Sequence, residues 1–164
     1  MAIVNRRGSG VIIVLGLFAL MAPRVGESDH SESRAIGSIR AIVSGESAYA
    51  ATHGGRFATL ACLGDPACNP SDVGTAPFLS PDLATTRERD GYRFEFYTHP
   101  DPDPARSART APTRFAVAAV PVDRETKGRR PFCADDRGVV YVTSARVAPR
   151  VEHGRCLDTS EPLR

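Results

Sequence analysis

Tryptophan is absent from this 164-residue chain, methionine occurs twice, and the only lysine is Lys127. An excess of charge of either sign is nearly absent as well. The 21 basic residues stand against 19 acidic ones, a formal net charge of +2. Both surplus cations, Arg6 and Arg7, precede the first apolar run, so the body from Pro23 onward balances 19 basic with 19 acidic residues. A neutral body excludes a dedicated nucleic-acid binder, which sets surplus Lys and Arg against phosphates. No apolar run reaches the roughly 20 residues that span a bilayer. A polybasic tail, a coiled coil, collagen and a multi-span membrane protein are all excluded by composition. What is present, 41% apolar and 24% charged residues, is the make-up of one globular domain plus a short targeting segment.

Residues 1–10 carry Arg6 and Arg7 and no acid, and Val11–Ala22 is an unbroken run of 12 apolar residues. That is the pattern of a secretory h-region and is short for a membrane span. The basic flank and the terminal position favour export over a buried core helix. The residues that should follow a twin-arginine pair are missing. Cleavage after Ala22 places Pro23 first, which signal peptidases handle poorly. Residues 1–23 are therefore read as a signal or a marginal anchor, with membrane contact through residues 11–22. Residues 24–30 are read as a linker, 31–156 as the globular domain and 157–164 as a C-terminal tail.

Four cysteines, Cys62, Cys68, Cys133 and Cys156, agree with export. An even count in an exported domain reads as two disulfides with three possible pairings. Gly64-Asp65-Pro66 is turn chemistry that folds Cys62 back on Cys68, which leaves Cys133 for Cys156. Structural zinc prefers cysteines two to four residues apart, and the five residues between Cys62 and Cys68 fit it badly.

Two periods organise the body. Ser31–His53 has helical spacing, with Ile36, Ile39, Val43 and Ala50 in one stripe and Ile42 and Tyr49 at its edges. Asp29 and Glu32 resemble a capping box, and Gly54-Gly55 is a stop. Gly37 and Gly45 weaken the helix and make it depend on a partner surface. Phe57–Leu63 and Phe78–Ala84 read as one-turn helices within a long loop. The period then becomes two: strands are expected at Tyr92–Thr98, Arg114–Val122, Arg130–Ala134 and Gly138–Thr143. Asp135-Asp136-Arg137-Gly138 is hairpin chemistry. The expected fold is α+β, an N-terminal helix packed on a three- to four-stranded antiparallel sheet. Phe94, Phe96, Phe115, Val117, Val140 and Val142 form the receiving surface. The alternative inward pair, Val139 and Tyr141, stays open. Residues after Val151 read as a loose tail held through Cys156.

No catalytic, cofactor or metal residues emerge. Gly45-Glu46-Ser47-Ala48-Tyr49 is half a nucleophile elbow, lacks the second glycine and lies inside a helix. Asp101, Asp103, Asp135 and Asp136 offer too few ligands at calcium spacing. His30, His53, His99 and His153 are isolated in sequence from each other and from any thiol. Arg129 and Arg130, with Arg124 and Lys127, make a basic loop diluted by Asp123 and Glu125.

Ala35-Ile36-Gly37-Ser38-Ile39-Arg40-Ala41-Ile42 resembles the helix of type IV pilin-like proteins, and Pro23 lies 12 residues before it, about where their membrane-helix proline falls. The order of later pieces is also similar: Leu60–Gly64, Leu79–Ala84, Asp90–Phe94, Phe115–Ala119 and Phe132–Val140. The resemblance covers residues 23–145. It departs at the front, where family members carry a Gly cleavage site, Phe-Thr-Leu-Ile-Glu and about 20 apolar residues. Here Gly8 and Gly10 precede no such run, and the first acid is Glu27. The resemblance implies a non-enzymatic pilin-like or minor pseudopilin-like protein, acting in assembly or surface recognition. It implies a bacterial inner-membrane location with a periplasmic domain. Its partners would be other pilin-like subunits or pilus and secretion machinery, met through the loops Ala61–Thr75 and His99–Thr113. A free periplasmic, disulfide-stabilised binding module is the alternative.

Overall fold

The protein is described here by a computed structural model that covers residues 27–68, 76–100, 112–123, 129–143, 147–157 and 161–163. The expected signal or anchor segment 1–23, Asp101, Asp103, Arg124 and Lys127 lie outside these residues, as do large parts of both expected partner-facing loops.

Helix α1 runs from Glu27 to Thr52. Its inner face is Ala35, Ile39, Ile42, Glu46 and Tyr49, all at or below 9% exposure. These positions step by four, three, four and three residues, the spacing of a stripe on one helix face. The stripe is rotated from the expected one: Ile42 and Tyr49 lie at its centre, while Ile36 and Ala50 are only half-buried. The cause is Glu46. A carboxylate occupies a core position, so apolar periodicity alone passed over that line. The capping box is a second correction. The helix starts at Glu27, so Asp29 and Glu32 lie within it, and Glu32 turns inward to Arg130 instead. The stop falls as expected, with Gly54 and Gly55 at φ of 63° and 76° and the Gly55 N–H bonded to the Ala50 carbonyl at 2.9 Å.

Two short helices follow, α2 (Leu60–Leu63) and α3 (Pro81–Thr85), each with a side-chain cap. Thr59 Oγ1 accepts from the Cys62 N–H at 3.2 Å, and Ser80 Oγ from the Leu83 N–H at 3.4 Å. Gly45 has a packing reason: an added Cβ would sit 3.0 Å from the Phe78 carbonyl oxygen. The glycine thus lets the chain before α3 press against α1.

The sheet is antiparallel, in the order β1 (Glu88–Arg89), β2 (Tyr92–His99), β3 (Arg114–Pro121), β4 (Phe132–Asp135), β5 (Val140–Val142) and β8 (Glu161–Pro162). The four expected strands are β2 to β5. The count of three to four is corrected to six by two-residue strands at each edge. A separate hairpin pairs β6 (Val151–Glu152) with β7 (Arg155–Cys156). The C-terminal residues are therefore not a loose tail. They form that hairpin, an edge strand, and an apolar contact of Leu163 with the core.

Phe94, Phe96, Phe115, Val117, Val140 and Val142 all belong to the cluster under α1, so Val140 and Val142 are the inward pair. Tyr141 points the other way, into a second small cluster with Ala116, Cys133, Cys156 and Val151. Strand β3 is thus buried on both faces, with the small Ala116 and Ala118 at the middle of its outer side. Both disulfides form, Cys62–Cys68 and Cys133–Cys156. The first closes the turn in which Asp65 Oδ1 accepts from the Ala67 N–H at 2.9 Å. The second fastens the β6–β7 hairpin to the centre of the sheet.

Two stability outcomes follow from this packing. Ile42→Ala should cost about 2–5 kcal/mol in urea denaturation, as truncations of fully buried aliphatic residues do, and Ile36→Ala clearly less. The doubly substituted Cys133→Ser/Cys156→Ser protein should lose about 2–5 kcal/mol. The Cys62→Ser/Cys68→Ser protein should lose less, because it opens a shorter loop. Equal losses in the two cysteine pairs would contradict this ordering.

Candidate functional site

Three acidic side chains are buried among the described residues, and each is engaged differently. Glu32 reaches from α1 to Arg130 just before β4. Its Oε1 accepts the Arg130 backbone N–H at 2.8 Å, and Oε2 accepts Nη2 at 2.8 Å. The Arg130 carbonyl in turn accepts from the Tyr92 hydroxyl at 3.0 Å. Helix, β2 and β4 thus meet at one residue. The Arg130 side chain is 55% exposed, so water screens its charge. The backbone bond to the buried carboxylate is the less screened part of the tie.

Asp135, fully buried, closes the β4–β5 turn. Arg137 grips its two oxygens through Nε at 2.9 Å and Nη2 at 2.7 Å. The backbone N–H groups of Arg137 and Cys156 add two more donors, each at 3.1 Å. Burial pushes this carboxyl up, but the Arg137 fork and the backbone donors outweigh it and hold the group below the ordinary aspartate value. Gly138, at φ 78°, completes the turn. Asp136 lies 3.1 Å from Arg155 in an ion pair, without the alignment of a hydrogen bond. Both members of the candidate calcium pair are therefore committed to arginines.

Glu46 has no such partner. Oε2 accepts the Ala58 N–H at 2.9 Å, tying α1 to the segment that leads into α2. Oε1 is buried without a hydrogen-bond partner. Burial drives its carboxyl up to about 7, against the smaller opposing pull of the Ala58 N–H. Ser47 does not face it: its hydroxyl donates to the Val43 carbonyl at 2.8 Å, within the same helix. The half elbow is thus a core carboxyl beside an outward serine.

Three histidines are placed by packing, and His30 is exposed on α1. His53 stacks on Tyr49 at 3.7 Å between ring centroids, sealing the end of α1. His99 and His153 meet edge to face at 5.0 Å, a contact between the end of β2 and the β6–β7 turn that sequence distance concealed. Among the described residues no group of three His, Cys, Asp or Glu side chains is placed to hold a metal ion. An open hollow of about 450 Å³ lies between α1 and β1, bridged by Arg34 and Asp90 at 3.0 Å.

This geometry generates a pH dependence. The Glu46 carboxyl titrates near 4.5 unfolded and near 7 folded, so the folded state binds its proton more tightly. Its contribution is full below pH 4.5 and is lost as pH rises towards 7, amounting to about 3 kcal/mol. Glu46→Gln should flatten the stability profile between pH 5 and 7.5, measured by urea denaturation at closely spaced pH values. A slope unchanged by the substitution would assign the titration elsewhere.

The described residues thus present buried polar ties, two disulfides and open surface hollows. No protein-family model, no curated protein and no solved structure matches the chain.

Proposed function

We propose that the chain is a non-enzymatic, pilin-like protein of the minor pseudopilin type, exported or membrane-anchored, acting through assembly or surface recognition. The observation that carries this reading is the arrangement of α1. One long helix lays a single stripe across an antiparallel meander, in the chain order that the resemblance implies. The Cys133–Cys156 disulfide then fastens the end of the chain to that sheet. The buried carboxylates support the same reading, since each is used to hold elements together. Surfaces remain to act on partners, as expected of a subunit that works by contact. Among the described residues no helix is long and apolar enough to cross a membrane. Attachment in this reading rests on the apolar run Val11–Ala22 of the sequence, which lies outside those residues.

The test is the intact mass of the protein from its native host, with membrane and soluble fractions measured separately. A chain beginning at Ser9 or Val11 and recovered with membranes is the expected result. A soluble chain beginning near Pro23 would overturn the filament reading and leave the exported binding module.

A further inference from the structure

Strand β2 is paired with β3 along its whole length, in unbroken register from Tyr92 opposite Pro121 to His99 opposite Arg114. Its other side is different. Strand β1 covers only Tyr92 and Arg93, and one further bond runs from the Phe94 N–H to the Arg87 carbonyl at 2.7 Å. In an antiparallel ladder successive residues turn their backbone groups to opposite sides. The Gly91 carbonyl accepts from Val122, on the β3 side. The odd-numbered positions therefore serve β3, and the even-numbered ones face the edge. Beyond the Phe94 N–H, these are the Phe94 carbonyl and the N–H and carbonyl of Phe96 and Thr98. Among the described residues none of them has a backbone partner. The chain that would have prolonged β1 is folded into α3 instead, ending where the Thr86 N–H bonds the Asp82 carbonyl at 2.9 Å.

Alongside this edge runs a groove of about 320 Å³, lined among others by Thr59, Leu60, Ala84, Arg87, Phe94 and Phe96. Arg87 is its single charged lining residue. It is exposed, and its side chain makes no ion pair among the described residues. Native sheets blunt their edges with proline, bulges or very short strands. The opposite edge does so, ending in the two-residue strand with Pro162. Between Phe94 and Thr98 there is neither proline nor bulge.

We infer that this groove binds an extended polypeptide segment of a partner, added to β2 as a further strand. Its backbone bonds Phe96 and Thr98. One apolar side chain lies against Leu60 and Phe96, and an acidic side chain pairs with Arg87. The backbone bonds supply sequence-independent affinity, and the groove and the arginine supply the choice of sequence. The inference stands on the edge geometry, whether or not the chain enters a filament.

The test uses the disulfide-intact protein and a set of labelled eight-residue peptides that alternate apolar and polar residues, in paired glutamate and lysine versions. Affinity is read by fluorescence polarisation and the site by amide exchange. The glutamate versions should bind about fivefold tighter at low salt, and binding should slow exchange at the Phe96 and Thr98 amides. Thr98→Pro, which removes an edge donor and no β3 bond, should lower affinity at least about tenfold. Arg87→Glu, at an exposed position, should reverse the glutamate preference, and it keeps the test decisive if the proline variant folds poorly. The inference is overturned if no peptide in the set protects those two amides, or if Arg87→Glu leaves the preference unchanged. Protection that grows with protein concentration in the absence of peptide would also overturn it, by making a second copy the occupant.

Discussion

Everything in the fold depends on where α1 puts one stripe. Ala35, Ile39 and Ile42 leave water by packing into the core that the sheet shares, and Tyr49 by packing against His53 and Phe78; the helix carries two internal glycines that weaken it in isolation. The sheet needs the helix equally. Tyr92, Phe94, Phe115 and Phe132 share the face that α1 covers, and an uncovered aromatic face of that size would drive association. Burying each such side chain contributes roughly 1.5–3 kcal/mol. The polar ties therefore act mainly on register. Glu32 on Arg130 sets how far along the sheet the helix sits, and Glu46 on Ala58 sets where the chain leaves it.

The three buried acids show how local partners decide the cost of burial. Asp135 is given a guanidinium fork and backbone donors, and its charged form is favoured inside the protein. Glu46 is given one backbone donor, and its neutral form is favoured up to about pH 7. The contrast follows from the sequence neighbourhood. Asp135 has Arg137 two residues away in a tight turn, whereas Glu46 is surrounded by helix and core, with no cation bonded to it among the described residues.

Much of the architecture was legible because its signals are local. The change of period from helix to strand at Tyr92, the glycine stop at Gly54, the hairpin at Asp135–Gly138 and the short turn between Cys62 and Cys68 each depend on adjacent residues. What escaped was non-local. Glu32 read as a cap because its partner is 98 positions away. Glu46 appeared only as part of a half nucleophile elbow inside a helix, because periodicity counts only apolar residues as core. The two-residue edge strands and the β6–β7 hairpin were too short to show a period at all. The open edge of β2 was illegible for the same reason: alternation identifies a strand and is silent on how many neighbours it has.

The division of labour between the two sheet faces bears on function. The covered face is aromatic and aliphatic, and its substitutions would be felt by the whole domain. The other face is alanine-lined at β3 and clamped by the Cys133–Cys156 bridge, so it too is spoken for. Exposed hydrogen-bonding capacity is left at the margin, along β2 and the short helices beside it. There the side chains of Phe94 and Phe96 belong to the core while their backbone groups point outward. A margin of this kind offers partners main-chain groups fixed by a rigid core. The walls beside it, Thr59–Ala61 and Ala84–Arg87, are the cap and first residues of α2 and the end of α3 with the two residues after it. Since the buried acids among the described residues serve the chain's own architecture, that pairing of a fixed edge with the neighbouring walls is where contact-based recognition has its physical footing.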